Sequence, residues 1–158
     1  MSRQSKDELI DELGYEVRAG QVAVDLMDDA ACRALRINRT DGRCLDVIDR
    51  EAPVSAGRLA QASGLTTAAV TAVIDRLEKA GYARRLADPT DRRRVLVEPT
   101  ALARERGAVI WGPFLALRNV LERYTVEELE LLRDFARMGR EYNEQRAAEV
   151  REMRFDDG

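Results

Sequence analysis

The chain has 158 residues, of which 45% are hydrophobic, 35% charged and 5% aromatic, with a formal net charge of −3 and no histidine. That length suits one domain, or one domain with an appended layer, the scarcity of aromatics disfavours a β-sandwich, and the absence of any run near the roughly 20 apolar residues of a membrane span, or of a signal-peptide segment, predicts a cytoplasmic protein with no membrane partner. Cys32 and Cys44 fall in no CxxC spacing, which leaves no disulfide scaffold or zinc ribbon, and without histidine the commonest metal ligand and general base are missing, so no enzyme, metal site or cofactor is expected.

Residues 7 to 36 carry Leu9, Leu13, Val17, Val24, Met27 and Ala31 at helical or related spacing, weakened locally by Gly14 and Gly20. Asn38 or Thr40 can cap a second helix over about 41 to 51, with Leu45 and Ile48 inward and Pro53 as its stop. Ser55 caps a third helix that ends at Gly64. A fourth starts at Thr66 or Thr67 and runs to Lys79, with Gly81 as a left-handed stop. The period then changes, and residues 82 to 88 and 93 to 99 read as two strands around the turn-forming DPTDR. Thr100 can cap a fifth helix to Tyr124, kinked or broken by Gly112 and Pro113, and Thr125 a sixth to about Met153. The predicted order is helix, helix, helix-turn-helix, hairpin, helix, helix: a mainly α fold with a small β-hairpin.

The net charge is unevenly placed. Between residues 55 and 99 stand eight basic residues (Arg58, Arg76, Lys79, Arg84, Arg85, Arg92, Arg93, Arg94) and five acidic ones (Asp75, Glu78, Asp88, Asp91, Glu98), a local charge of +3 against −6 for the rest. An anionic partner would dock on this middle segment. The carboxylates of 127 to 152 alternate with Arg in helical runs, as on a solvated face.

Within the middle segment, Ala60 lies four residues before Gly64, and Val70 and Val73 follow at six and nine residues. This is helix-turn-helix spacing: a small residue lets the helices approach, glycine accepts the positive φ of the turn, and Val70, Val73, Ile74 and Leu77 form one inward stripe. The opposite face presents Thr66, Thr67, Ala68, Thr71, Ala72, Asp75 and Arg76, short enough at its N-terminal end to enter a major groove about 12 Å wide, where methyls meet thymine and hydroxyls reach base edges or phosphates. An Ala-rich helix pair with a glycine turn also occurs in proteins that never touch DNA. The adjacent hairpin weighs against that, because Arg92, Arg93 and Arg94 at its tip can reach a narrow minor groove, though the same run could be a solvated turn, or Asp88 and Asp91 could instead orient the arginines at the cost of some positive potential.

LTTAAVTAVIDRLEKAGYARR at 65 to 85 and DPTDRRRVLVEPT at 88 to 100, taken together, resemble the MarR family of multiple antibiotic resistance regulators, and the resemblance covers nearly the whole chain. It implies a winged helix-turn-helix at 37 to 99 between an N-terminal dimerisation helix at 1 to 36 and C-terminal dimerisation helices at 100 to 158. It also implies base reading by the helix 66 to 79 and minor-groove insertion by the Arg of a D-x-R motif, here Arg93 supported by Asp91. Glu98, Pro99 and Thr100 depart from the family's Leu-Thr after the last wing strand, and the recognition face lacks Asn, Gln or an early Arg, so specificity leans on methyl contacts and DNA shape.

The function so implied is sequence-specific regulation, expected to be repression, by a homodimer on a palindrome of double-stranded DNA. Leu129, Leu132, Ala136, Gly139 and Tyr142 form a stripe on the last helix for either dimer or core. MarR-like proteins commonly take small aromatic or phenolic anions, for which Tyr15, Arg18, Trp111 and Phe114 are the candidates here, although a helical aromatic is more often core. A redox alternative uses Cys32, expected to be more exposed than Cys44, since some relatives sense peroxides through a thiolate near the first helix. A winged-helix module that binds protein instead of DNA is the rival of a different class.

Overall fold

The computed structural model describes residues 4–90, 95–112 and 116–154. By its contacts the chain forms two compact units, Met1–Ile110 and Trp111–Gly158. Seven helices and three strands occur among the described residues, and no helix is long and apolar enough to cross a membrane.

Helix α1 (Lys6–Leu35) begins in a capping box, Ser5 with Glu8, which satisfies two otherwise unpaired N–H groups, and it ends at Arg36 in the left-handed region. Of the two caps considered for α2 (Arg39–Glu51), Asn38 is the one used: its Oδ1 accepts the Asp41 N–H at 2.8 Å. Ser55 caps α3 (Ala56–Ser63), Gly64 turns the chain with φ 70°, and Thr66 caps α4 (Thr67–Lys79). Gly81, at φ 80°, then redirects the chain into β2 (Ala83–Ala87).

Strand β3 (Val95–Pro99) pairs antiparallel with β2 from Ala83↔Pro99 to Ala87↔Val95. Its other edge takes β1 (Val54–Ser55), which gives the order β1-β3-β2. The sequence held no sign of β1, because two residues, the second of them the cap of α3, are too few to show alternation. Thr100 starts α5 (Ala101–Trp111) as expected: its Oγ1 accepts the Ala103 N–H and donates to the Gly81 carbonyl at 2.6 Å, so the unusual Glu98-Pro99-Thr100 passage still anchors helix and wing together.

The core lies entirely in the first unit. It joins Leu35 of α1, Cys44, Leu45, Val47 and Ile48 of α2, Leu59 of α3, Val70, Val73, Ile74 and Leu77 of α4, and Val54, Ala83 and Val97 of the sheet. Tyr82, ahead of β2, is fully buried in it. Its hydroxyl donates to the Leu35 carbonyl at 3.1 Å and accepts from Arg106, whose guanidinium also lies 5.5 Å from the ring centroid.

Among the described residues α5 ends at Trp111 and a separate α6 (Ala116–Leu121) is found; of the two residues expected to kink or break the helix, Pro113 lies outside the described residues. A second capping box, Thr125 with Glu128, starts α7 (Val126–Glu152). On α1, Leu9, Ile10, Leu13, Val17 and Val24 are exposed. On α7, Leu131, Leu132, Phe135, Met138 and Tyr142 are exposed too.

Candidate nucleic-acid interface

The helix-turn-helix assembles from short-range chemistry. The Ser63 hydroxyl donates to the Leu59 carbonyl at 2.6 Å and closes the last turn of α3, and Gly64 N–H reaches the Ala60 carbonyl. Val70, Val73, Ile74 and Leu77 are buried, which turns Thr66, Thr67, Ala68, Thr71, Ala72, Asp75 and Arg76 to the outside, all exposed as the periodicity predicted. Thr66 Oγ1 accepts the Ala69 N–H and Thr71 Oγ1 donates to the Thr67 carbonyl at 3.1 Å. The Thr71 methyl is thereby oriented, and the Thr66 hydroxyl keeps its proton for an outside acceptor.

Strand β2 is fastened to this helix. Arg85 donates to Asp75 at 2.7 Å and to Glu78, and Glu78 also accepts the Arg85 backbone N–H at 2.9 Å. Burial works against the charge of Arg85, yet the two carboxylates outweigh it and hold the guanidinium's pKa above its ordinary value. Arg84 pairs with Glu98 directly across the ladder, and Arg58 with Glu51 at 2.7 Å. The wing tip opens at Asp88, which accepts from the Thr90 N–H and hydroxyl at 2.8 and 2.6 Å. Asp91, Arg92, Arg93 and Arg94 lie outside the described residues.

Arg76 has a partner that no sequence spacing suggested. Its Nε lies 3.0 and 3.1 Å from the two oxygens of Asp41, and its Nη2 lies 2.6 Å from Oδ1. The hydrogen bonds to Asp41 raise the arginine's pKa further, so the guanidinium is charged at any working pH. Four of the eight basic residues of the middle segment are thus engaged within the protein.

The candidate effector residues are spread over both units and the undescribed residues. Tyr15 stands exposed on α1, and Arg18, also exposed, lies 3.5 Å from Gln21 on the same helix. Trp111 is partly exposed at the end of α5, and Phe114 lies outside the described residues. A different concavity exists within the first unit, lined by Ala34, Leu35, Arg36, Glu105, Arg106, Val109 and Ile110. Four apolar residues, two arginines and a glutamate from two distant segments signalled nothing in the linear sequence.

Cys32 is the more exposed of the two cysteines, as expected, but only at 8% against 0% for Cys44. Both thiols are buried, and burial pushes both thiol pKa values up from 9.0. Cys32 Sγ occupies the space that a Cβ on Gly42 would need, at 2.5 Å from it. This cysteine packs α1 against α2, and burial, with Asp28, Asp29 and Asp41 nearby, outweighs the pull of Arg39 toward a thiolate.

The family model described as "MarR family" matches residues 37–95. An HTH-type transcriptional regulator of Bacillus subtilis, YcgE, is 40% identical over 111 residues, 70% of this chain and 72% of that protein. The chain belongs to the MarR family. It is a DNA-binding transcriptional regulator and not an enzyme. Among solved structures, the transcriptional regulator BldR from Sulfolobus solfataricus superimposes with a TM-score of 0.54 at 25% identity, covering 86% of this chain and 97% of its own. NadR in complex with 4-hydroxyphenylacetate shares the fold, with a TM-score of 0.57 at 23% identity over 87% and 96% of the two chains. Both likenesses extend beyond the winged segment, as a MarR fold with helices on either side of it requires.

Proposed function

We propose that this MarR protein acts as a homodimeric repressor on a palindromic operator. Thr66, Thr67, Ala68, Thr71 and Ala72 read the major groove, with Arg76 at the far end of the same face, and Arg93, supported by Asp91 and flanked by Arg92 and Arg94, enters the minor groove. The observation that carries the reading is the exposed Thr/Ala face of α4, held by Arg85 against a wing whose tip bears three arginines. The dimer is supported by large apolar side chains left in solvent on α1 and α7. A single winged domain binds non-specific DNA at only about 10⁻⁴ to 10⁻⁶ M in physiological salt, whereas two reading heads about 34–36 Å apart engage successive grooves together.

Release by a small aromatic or phenolic anion is the finer part of this reading. Its support is the concavity between the end of α1 and α5, where Arg106 supplies a cation beside Val109 and Ile110, and the phenolic ligand of the NadR neighbour. Such a ligand acts only as far as it prefers one arrangement of the heads over the other.

The test is selection of bound duplexes from random DNA by the purified protein, beside Arg93→Ala. The wild type is expected to enrich a palindrome, and the variant to bind all sequences more weakly with a shallower dependence on salt. Identical selection and salt slopes for the two proteins would remove the wing from the interface. Enrichment of no sequence at all favours a protein-binding module.

A further inference from the structure

The recognition face has no long side chain at its reading end. A threonine or alanine cannot bend toward a base that lies an ångström too far, so the depth and tilt of the α4 backbone must themselves be set by something outside the face. The first turn of α2 does this, through Asp41. Its side chain is 4% exposed while that of Arg76 is 48% exposed. The carboxylate receives three close nitrogen contacts from Arg76 and the Asn38 amide at 2.9 Å. A carboxylate stripped of water depends on such partners, and taking one away leaves a buried charge uncompensated.

The same turn is fixed on its other side. Arg39, the first residue of α2, donates to the Asp25 carboxylate and carbonyl at 2.8 and 3.1 Å and lies 3.6 and 3.2 Å from Asp28 and Asp29 on α1. One helical turn therefore holds α1 through Arg39 and α4 through Asp41. Both nitrogens of Arg76 that touch Asp41 are committed to an edge-on, bidentate geometry that a lysine cannot reproduce.

We propose that Arg76 is a positioning residue for DNA recognition: paired with Asp41, it sets the seat of α4 and thereby the sequence preference, without serving as a phosphate contact. The inference rests on the DNA-reading assignment above. Its consequence is that specific and non-specific binding separate. Losing the pair spoils the alignment of the Thr/Ala face with the bases while leaving the wing arginines and the rest of the cationic surface in place.

The experiment compares the wild type with Asp41→Asn, Arg76→Gln, the double variant and Arg76→Lys. Each is titrated against the palindrome selected by the wild type and against a scrambled duplex over a range of salt, with thermal unfolding followed in parallel. We expect both single variants to lose about ten-fold in affinity for the palindrome, the scale of one lost base contact. Binding to the scrambled duplex and the salt slope should stay as in the wild type, the double variant should be no worse than either single one, and Arg76→Lys should behave like Arg76→Gln. Should Asp41→Asn fail to fold, the Lys and Gln variants at 76 still decide the matter.

A phosphate contact gives the opposite pattern: Arg76→Gln weakens both duplexes, the salt slope falls by about one, and Arg76→Lys restores binding. That result overturns the proposal, as does a lower unfolding temperature with unchanged affinities. If the wild type selects no duplex, the DNA-reading assignment itself fails, and this inference falls with it.

Discussion

The winged part of the molecule and its two long terminal helices use the same apolar residue types to different ends. In the winged part, Leu59, Ile74, Leu77 and Val97 are closed off from water by four helices and a three-stranded sheet within a few dozen residues of chain. On α1, Leu13 is 48% exposed, and on α7, Tyr142 is 68% exposed. Capping boxes define both long helices as firmly as any element of the core. Good local signals make a helix, but they do not supply the surface against which it buries its stripe. The winged part closes its core within one chain, whereas the two long helices leave large apolar side chains exposed.

The sharpest way to break this comparison is a pair of truncations. Leu77→Ala should cost about 2–5 kcal/mol in denaturant unfolding, because it empties a fully buried site, and the loss should be the same at every protein concentration. Leu13→Ala should barely alter the protomer and should instead weaken self-association, seen as an unfolding temperature that depends more steeply on dilution. A concentration-independent loss for Leu13→Ala would mean that α1 is covered from within the chain.

A smaller effect is expected where the two regions meet. Gly42→Ala places a methyl 2.5 Å from Cys32 Sγ, an overpacking that should cost about 1–3 kcal/mol. Cys32→Ala in the same chain should recover most of it. If the double variant is as unstable as the single one, the close approach of α1 and α2 lies elsewhere.

The smallest effect is in pH dependence. Because burial raises both thiol pKa values from 9.0, the folded state keeps the protons that the unfolded chain begins to release near that pH. The associated stability is complete below about 9 and declines as pH climbs past it. Alkylation of Cys32 and Cys44 in the folded protein should accordingly be slow near neutral pH and quicken only in alkali or denaturant. Rapid labelling of Cys32 at about pH 7 would return a redox role to the protein.

Much of the winged fold was legible because its signals are local. Ser55, Thr66, Thr100 and Thr125 are caps whose partners lie three residues away, and Gly64 and Gly81 mark turns that require a positive φ. The outward placement of Thr66, Thr67, Ala68, Thr71 and Ala72 followed from the burial of Val70, Val73, Ile74 and Leu77, since one helix cannot hide both faces. What escaped notice was long-range. Strand β1 is a strand only because β3 lies beside it, Tyr82 matters only because α1 and α5 converge on its hydroxyl, and the burial of Cys32 depends on a glycine ten residues along the chain.

Caps, glycine turns and hydrophobic period by themselves determined which segments are helix or strand and which side of α4 faces outward, because those properties depend on neighbours within about one turn of chain. Whether a charged residue on that side is available or already engaged was decided only in three dimensions. Arg76 and Asp41 stand 35 positions apart, and hydrogen bonds made at close range between segments so distant leave no period in a sequence.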